Sequence, residues 1–475
     1  MSTQRADPKA LSRAIPFGGY YQRDVPEEDR EITHVSPGTP VGEYFRRFWL
    51  PVCMSTQLKD VPHKIRIMGE DLIAFRDRSG RVGVLARHCC HRGASLEFGV
   101  IQERGIRCCY HGIHYDTDGT LLDVPTEIDR GARLKRSVTQ GAYPAFERDG
   151  LVFAYMGPPE TTPPFLDSDA FEKYDDTRLV AFSNVFPCNW LQVLENIADQ
   201  MHTAVLHQPA TLYDGPLPRG LDPAPLTLPS FETKPVIDYV KVRNDTAMAF
   251  IAGRRTSDHL VWWRINECAL PEMTHHAYVF EDGRERRLFH RVHMSRWYVP
   301  VDDTNTIIYG WRMFGRTVDP LQKGREDRVG WDDMDFLEGQ VGNRSYEQQQ
   351  RLPGDWEAIV SQRPIAVHAL EHPMSGDVGV YMFRKILRDA VRGTNQPASS
   401  ETLHERARRG LPSYTYTQNT TLRIPRRTSD EEDKRIIGEV GRKLIEITAQ
   451  ADEFVGEERN VFVRRHFEEL ERSYE

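Results

Sequence analysis

Two short stretches concentrate the ligand-forming side chains of this 475-residue chain: Cys89-Cys90-His91-Arg92-Gly93 and Cys108-Cys109-Tyr110-His111-Gly112. Each offers a thiol, an imidazole and a glycine just after the His, in the spacing C-x-H, sixteen residues, C-x-x-H. Two thiolates and two imidazoles hold either a tetrahedral zinc ion or a [2Fe–2S] cluster with Cys on one iron and His on the other. A zinc finger usually takes two Cys from one turn and two His from a helix. Here each loop supplies one of each, which suits a diamond-shaped cluster held between two β-loops. Glycine lets each loop close tightly, with backbone N–H groups turned inward.

A second constellation lies in Asn189–His207, an apolar helical run interrupted by Glu195, Asp199, His202 and His207. Spacings of four and three put Glu195, Asp199 and His202 on one helix face. His207 lies five residues beyond His202, about 140° away on an ideal helix. The two imidazoles therefore converge only if the helix ends or bulges between them, a distortion common at functional sites. Two neutral imidazoles and a carboxylate form the facial triad of non-haem Fe(II) centres, which leaves positions open for O2 and substrate. On chemistry alone the carboxylate is ambiguous among several later acids.

The residues CCHRGASL and CCYHGIHYDTDG resemble the two cluster loops of Rieske-type aromatic ring-hydroxylating oxygenases, and Asn189–His207 is similar to the family's E-N-x-x-D-x-x-H-x-x-x-x-H signature. The likeness runs over most of the chain and includes GEYFRRFWLPVC and EHPMSGDVGVYMFRKILR. It implies that Cys89 and Cys108 bind the inner iron of a [2Fe–2S] cluster and His91 and His111 the outer one. His202 and His207 would bind a mononuclear Fe(II). The stretch Pro353–Ala358 followed by Gln362-Arg363-Pro364-Ile365 looks like the phthalate-dioxygenase branch and points to Asp355 as third ligand, ahead of Glu357 and Asp377. Three departures stand out: Cys90 and Cys109 occupy positions usually not Cys, Ile113 an aromatic position, and Arg363 a usual Gly. The extra thiols read as inert neighbours or as a pair that oxidises when the cluster is lost.

The same resemblance gives Asp199 the role of bridging the iron site of one subunit to the cluster His111 of the next. That implies a head-to-tail homotrimer. Glu195 is a supporting residue behind the iron, and Asn189 would shape the O2 side of the pocket. A separate flavin/iron–sulfur reductase, with or without a ferredoxin, would deliver electrons from NAD(P)H. The expected substrate is a small aromatic acid, oxidised either by O-demethylation of a lignin-type methoxyarene or by hydroxylation. Cis-dihydroxylation of a phthalate-type acid is the alternative. Arg254, Arg255 and Arg264 are the carboxylate-binding candidates, and one of the neighbouring Trp262 and Trp263 should face the pocket. A Rieske electron carrier with an appended binding domain is the competing class, but it would have no use for the iron motif.

The elements that must position these groups are legible in outline. Lys64–Met68, Asp71–Arg76 and Arg81–Ala86 are short β-runs punctuated by Gly69-Glu70 and Ser79-Gly80. Strand-like runs recur at Val236–Val242, His259–Arg264, Arg287–His293 and Thr306–Arg312. Ser429–Glu432 reads as a capping box opening a long helix, with an apolar stripe from Ile437 to Phe454. The fold class is α+β. A Rieske β-sandwich-like domain (45–160) joins a catalytic domain (161–475) with an antiparallel sheet flanked by helices, of the helix-grip, START-like kind. An N-terminal arm (1–44) packs on the latter, and a C-terminal helix spans about 429–470.

Composition agrees. Hydrophobic residues at 39% and charged residues at 28% support a large core. A net charge of −8 with no basic domain argues against nucleic acid as partner. No apolar run approaches a membrane span, and Met1–Tyr21 lacks a signal-like apolar stretch. Seven Cys without an export signal fit a reducing cytoplasm, where clustered thiols bind metal; Cys53, Cys188 and Cys268 read as buried small residues.

Overall fold

The computed structural model describes residues 16–127, 129–208, 229–330, 344–394 and 400–475. Two four-stranded sheets frame the cysteine loops. One orders His63–Ile67, Glu70–Arg76, Val82–Ala86 and Ala142–Tyr143; the other Val100–Ile101, Ile106–Arg107, His114–Tyr115 and Leu121–Asp123. Ile73, Phe75, Leu85, Leu96, Ile106 and Tyr115 make a small core of their own beneath the loops. Ion pairs rivet its two halves together. Arg81 reaches Asp77 at 2.8 Å and Asp116 at 2.7 Å, and the Gly105 N–H donates to Asp77 at 3.0 Å.

The larger core lies under a nine-stranded sheet, antiparallel at every pairing. From one edge it runs Arg178–Phe186, Asn305–Phe314, Val292–Asp302, Met273–Ala277, Leu260–Ala269, Ala247–Arg255 and Val236–Val242. Arg287–His290 and Gln418–Arg423 pair beside it. Strands such as Ala247–Arg255 escape a period-two reading because they are buried on both faces and read as nearly continuous apolar runs. The architecture is α+β, as expected.

Helices cover both faces of this sheet. Trp263 faces the C-terminal helix and donates its indole N–H to the Ile437 carbonyl at 2.9 Å. Trp262 points the other way, donating to Asn419 Oδ1 at 3.0 Å and stacking on Phe231. The C-terminal helix differs from the expectation of one element over about 429–470. Asp430–Gln450 opens on Ser429, whose hydroxyl accepts from the Glu432 N–H at 3.2 Å. It then gives way to a short 3-10 turn at Ala451–Glu453, and Gly456–Arg472 forms a second helix. Gly456 enters that helix at φ 58°, a left-handed conformation that no continuous helix can contain. Among the described residues no helix is long and apolar enough to cross a membrane.

Candidate metal centres

The two cysteine loops have the same backbone wiring. The Cys89 N–H donates to Ala94 O at 2.9 Å and the Gly93 N–H to Cys89 O at 2.9 Å; the Cys108 N–H donates to Ile113 O at 2.8 Å and the Gly112 N–H to Cys108 O at 3.1 Å. Gly93 and Gly112 sit at φ 76° and 71°, where a side chain would strain the turn. Cys89 and Cys108 are buried, whereas the His91 and His111 rings pack with centroids 4.6 Å apart toward the outside. The Tyr115 hydroxyl lies 2.9 Å from the Cys89 sulfur. Among the described residues these four ligands do not gather around one point, as a single zinc ion would require. Sulfurs inside and imidazoles outside fit the two irons of a cluster. Cys90 and Cys109 are exposed, and Ile113 fills the small core.

The second centre does gather around one point. His202, His207 and Asp355 place one ligand atom each within 4.8 Å of the others, the only such group of three among the described residues. His202 Nε2 lies 3.5 Å from Asp355 Oδ1, and His207 Nε2 lies 3.6 Å from Asp355 Oδ2. The geometry comes from an early helix end. Trp190–Ala198 stops at Asp199, and His202 rides a 3-10 turn, Met201–Ala204, so the two rings converge. Burial pulls the His207 imidazole down to about 4, which keeps it neutral and ligand-ready. Glu357 and Asp377 are engaged elsewhere. Glu357 pairs with Arg344 at 2.6 Å, and Asp377 accepts from the Met374 N–H at 2.7 Å at the start of helix Val378–Arg392.

The supporting residues are placed as follows. The Asp199 backbone carbonyl accepts the His202 Nδ1 proton, while its carboxylate takes the Met201 N–H at 3.0 Å and borders an open groove with Glu195, His372 and Tyr381. Glu195 is gripped by Arg384 at 2.5 and 2.7 Å, and Arg384 also holds Glu371. Asn189 departs from its expected place on the pocket wall. Its Oδ1 caps the iron helix at the Leu191 N–H, 3.1 Å away, and its Nδ2 donates to Thr33 O and Asp303 O at 2.8 and 2.7 Å. A short capping residue at that position satisfies the helix start and is consumed by it. Gln192, which the sequence reading passed over, ties the iron helix to the third-ligand segment. Its Nε2 donates to Ile359 O and Arg363 O at 3.0 Å each, and its Oε1 accepts from the Ala366 N–H at 2.8 Å.

A cavity of about 60 Å³ opens on the triad, with Phe231, Arg264, Asn266, His276 and Arg296 on its walls. Of the three arginines expected there, only Arg264 lines it. Among the described residues its Nε has no hydrogen-bond partner, and its guanidinium stacks on Phe231 at 5.7 Å. Burial, then Arg296, pulls Arg264 down to about 10, so it stays charged at neutral pH. Arg254 sits behind Phe231 and donates to Thr203 Oγ1 at 3.0 Å, bracing the turn that carries His202. Arg255 lies on the opposite face, paired with Asp433 at 2.6 Å. Asn266, His276 and Arg296 went unnamed in the sequence reading. Asn266 could have been found as the residue two beyond Arg264 on one strand, hence on the same face.

Comparison with known proteins agrees with this picture. Residues 48–134 match the Rieske [2Fe-2S] domain. The chain is 48% identical over 474 residues to a tert-butanol monooxygenase / tert-amyl alcohol desaturase oxygenase subunit of Aquincola tertiaricarbonis, covering 98% of both chains. It is 32% identical to the phenoxybenzoate dioxygenase subunit alpha of Ectopseudomonas oleovorans, covering 83% of this chain and 93% of that one. Among solved structures, NdmA of Pseudomonas putida CBB5 (QL mutant with caffeine) shares the fold at a TM-score of 0.54 and 20% identity, over 78% of this chain and 96% of that one. Sulfur-inside, imidazole-outside loops and a separate three-ligand centre are thus joined in one chain to near-full-length kinship with oxygenase subunits, and the chain belongs to the Rieske non-haem iron oxygenases, as an oxygenase component that uses a [2Fe–2S] cluster, a mononuclear iron and O2.

Proposed function

We propose that the chain is the terminal oxygenase that oxidises a compact, oxygen-bearing substrate at a C–H bond beside the His202–His207–Asp355 centre. The observation that carries this reading is the convergence of the triad on a narrow, arginine-walled cavity. When bound, the cluster supplies single electrons and the iron an open-sided centre for O2. The protein holds the geometry. The Asp199 carbonyl fixes the His202 proton on Nδ1 and presents Nε2, an arrangement typical of ligating imidazoles. Burial around His207 keeps bulk water away. Arg264 offers a cation to a substrate oxygen.

The relative that matches end to end acts, by its name, on small tertiary alcohols, and the narrow cavity favours a substrate of that size. A second reading, O-demethylation or hydroxylation of an aromatic acid, is favoured by the buried charge of Arg264, which suits a carboxylate. Cis-dihydroxylation remains a variant of that second reading. An electron-carrier role leaves the triad without purpose.

Electrons would come from NAD(P)H through a flavin or iron–sulfur reductase. The working unit would be a head-to-tail trimer in which Asp199 meets the neighbouring copy's His111. Two placements support this: the Asp199 carboxylate borders an open groove, and the His91–His111 pair lies on the outside of its own domain. The deciding experiment is a single turnover of the reduced holoenzyme with labelled O2 against tert-amyl alcohol and against methoxylated and plain aromatic acids, read by mass spectrometry. One labelled atom in a diol product, or an unlabelled unsaturated alcohol two hydrogens lighter than tert-amyl alcohol, supports the first reading. Formaldehyde with a free phenol, or a singly hydroxylated acid, supports the second; two labelled atoms mean dihydroxylation. Reoxidation of the cluster without product from any of them refutes the substrate class.

A further inference from the structure

The wall facing the triad carries hydrogen-bonding side chains backed by a chain of buried contacts. The Tyr298 Oη–Thr274 Oγ1 distance is 3.0 Å, and Thr274 Oγ1 lies 2.8 Å from His276 Nε2. When the Thr274 hydroxyl gives its single proton to His276 Nε2, that nitrogen is an acceptor and the ring proton sits on Nδ1. Thr274, His276 and Tyr298 are all buried. Asn266 is oriented by the backbone beside it. Its Oδ1 accepts the Ala277 N–H at 2.8 Å, so the other end of the amide, Nδ2, can only donate. Arg264 adds a guanidinium whose Nε has no partner among the described residues.

Asn266, His276 and Arg264 line the cavity together with the three ligand residues. We propose that Asn266 Nδ2, His276 Nδ1 and Arg264 form a donor-only subsite that holds an acceptor oxygen of the substrate, with Thr274 as the positioning residue that fixes the His276 tautomer. The shared chemistry is an oxygen lone pair, whether of a carboxylate or of a tertiary alcohol. The subsite rests on the reading of this cavity as the substrate site.

The test uses the reduced, iron-replete holoenzyme without O2, with benzoate and tert-amyl alcohol as probes and calorimetric Kd as the measure. For whichever probe binds, Asn266→Asp keeps the bond to Ala277 but replaces two donors by an acceptor, and should weaken binding by roughly tenfold or more. Thr274→Val, which leaves the His276 tautomer free, should weaken it severalfold, and Thr274→Ser should restore it. Iron and sulfide content report that each variant is folded and loaded. Preference for benzoate assigns the oxygen to a carboxylate, and preference for the alcohol to a hydroxyl. Wild-type affinity in both Asn266→Asp and Thr274→Val overturns the subsite, as does failure of both probes to bind the wild-type protein. In either case the oxygenase reading is judged separately, by reoxidation of the cluster with O2.

Discussion

The His202 ring hangs from the Asp199 main chain, whose carbonyl oxygen takes the Nδ1 proton, while the Asp199 carboxylate turns to the Met201 N–H and an open groove. One residue thus has two separable roles, orientation of a ligand through its backbone and contact with whatever fills the groove through its side chain. Asp199→Asn keeps the carbonyl. It should therefore retain mononuclear iron at wild-type stoichiometry and yet slow cluster reoxidation in a single turnover by about a hundredfold or more. Loss of iron in this variant would contradict the division of roles.

His202→Ala, His207→Ala and Asp355→Ala remove a ligand outright. Each should lower iron from three to two per chain with unchanged acid-labile sulfide, and drop product formation by at least about a thousandfold (~4 kcal/mol). Glu357→Gln, whose carboxylate is spent on Arg344, should keep all three irons.

Tyr115→Phe deletes the hydroxyl 2.9 Å from the Cys89 sulfur. A hydrogen bond to a cluster sulfur favours the more electron-rich reduced state. At a net worth of about 1 kcal/mol, its loss should move the cluster potential negative by roughly 40 mV, measurable by redox titration.

Arg363 stands at φ 93°, in the region that favours glycine, and its carbonyl is held by Gln192 at 3.0 Å. A non-glycine residue in that conformation costs about 1–3 kcal/mol. Arg363→Gly should raise stability toward denaturant by about 1 kcal/mol, with iron content unchanged.

Asp116 supplies the pH test. Burial pushes its carboxyl up, but Arg104, the Thr117 N–H and Arg81 outweigh it and hold it down at about 2, against an ordinary 3.8. A depressed carboxyl stabilises the fold above its unfolded value and loses that contribution as pH falls through its folded one. The stability difference between wild type and Asp116→Asn should be full above pH 4 and fade toward pH 2. Comparing the two proteins cancels the acid sensitivity they share at the metal centres.

Much of this site could be read from residue order. The cluster loops declared themselves because thiols, imidazoles and glycines occur together at fixed spacing within two short segments. The iron motif did so because its two His are five residues apart on one run. What the sequence reading could not supply was anything depending on which strand lies beside which. Arg264 lines the cavity and Arg255 does not, although both looked equivalent in a β-run, because strand faces are set by pairing across the sheet. Asn189 looked like a pocket residue from its neighbourhood; it is a helix cap, and capping depends on where the helix starts. The break after Gln450 was hidden because the apolar stripe continues across it, while the interruption is a backbone matter centred on Gly456.

The distance along the chain between His207 and Asp355 also bears on how the protein is made. Both imidazoles leave the ribosome about 150 residues before the carboxylate that completes their set. At about 5–20 residues per second, that leaves an interval on the order of ten seconds or more. The four ligands of the cysteine loops, by contrast, are all within residues 89–111 and are available together early in synthesis. The two metal centres of one polypeptide therefore come of age at different moments. A cell short of iron during that interval would make chains with a filled cluster and an empty oxygen site, able to take up electrons and unable to spend them on substrate.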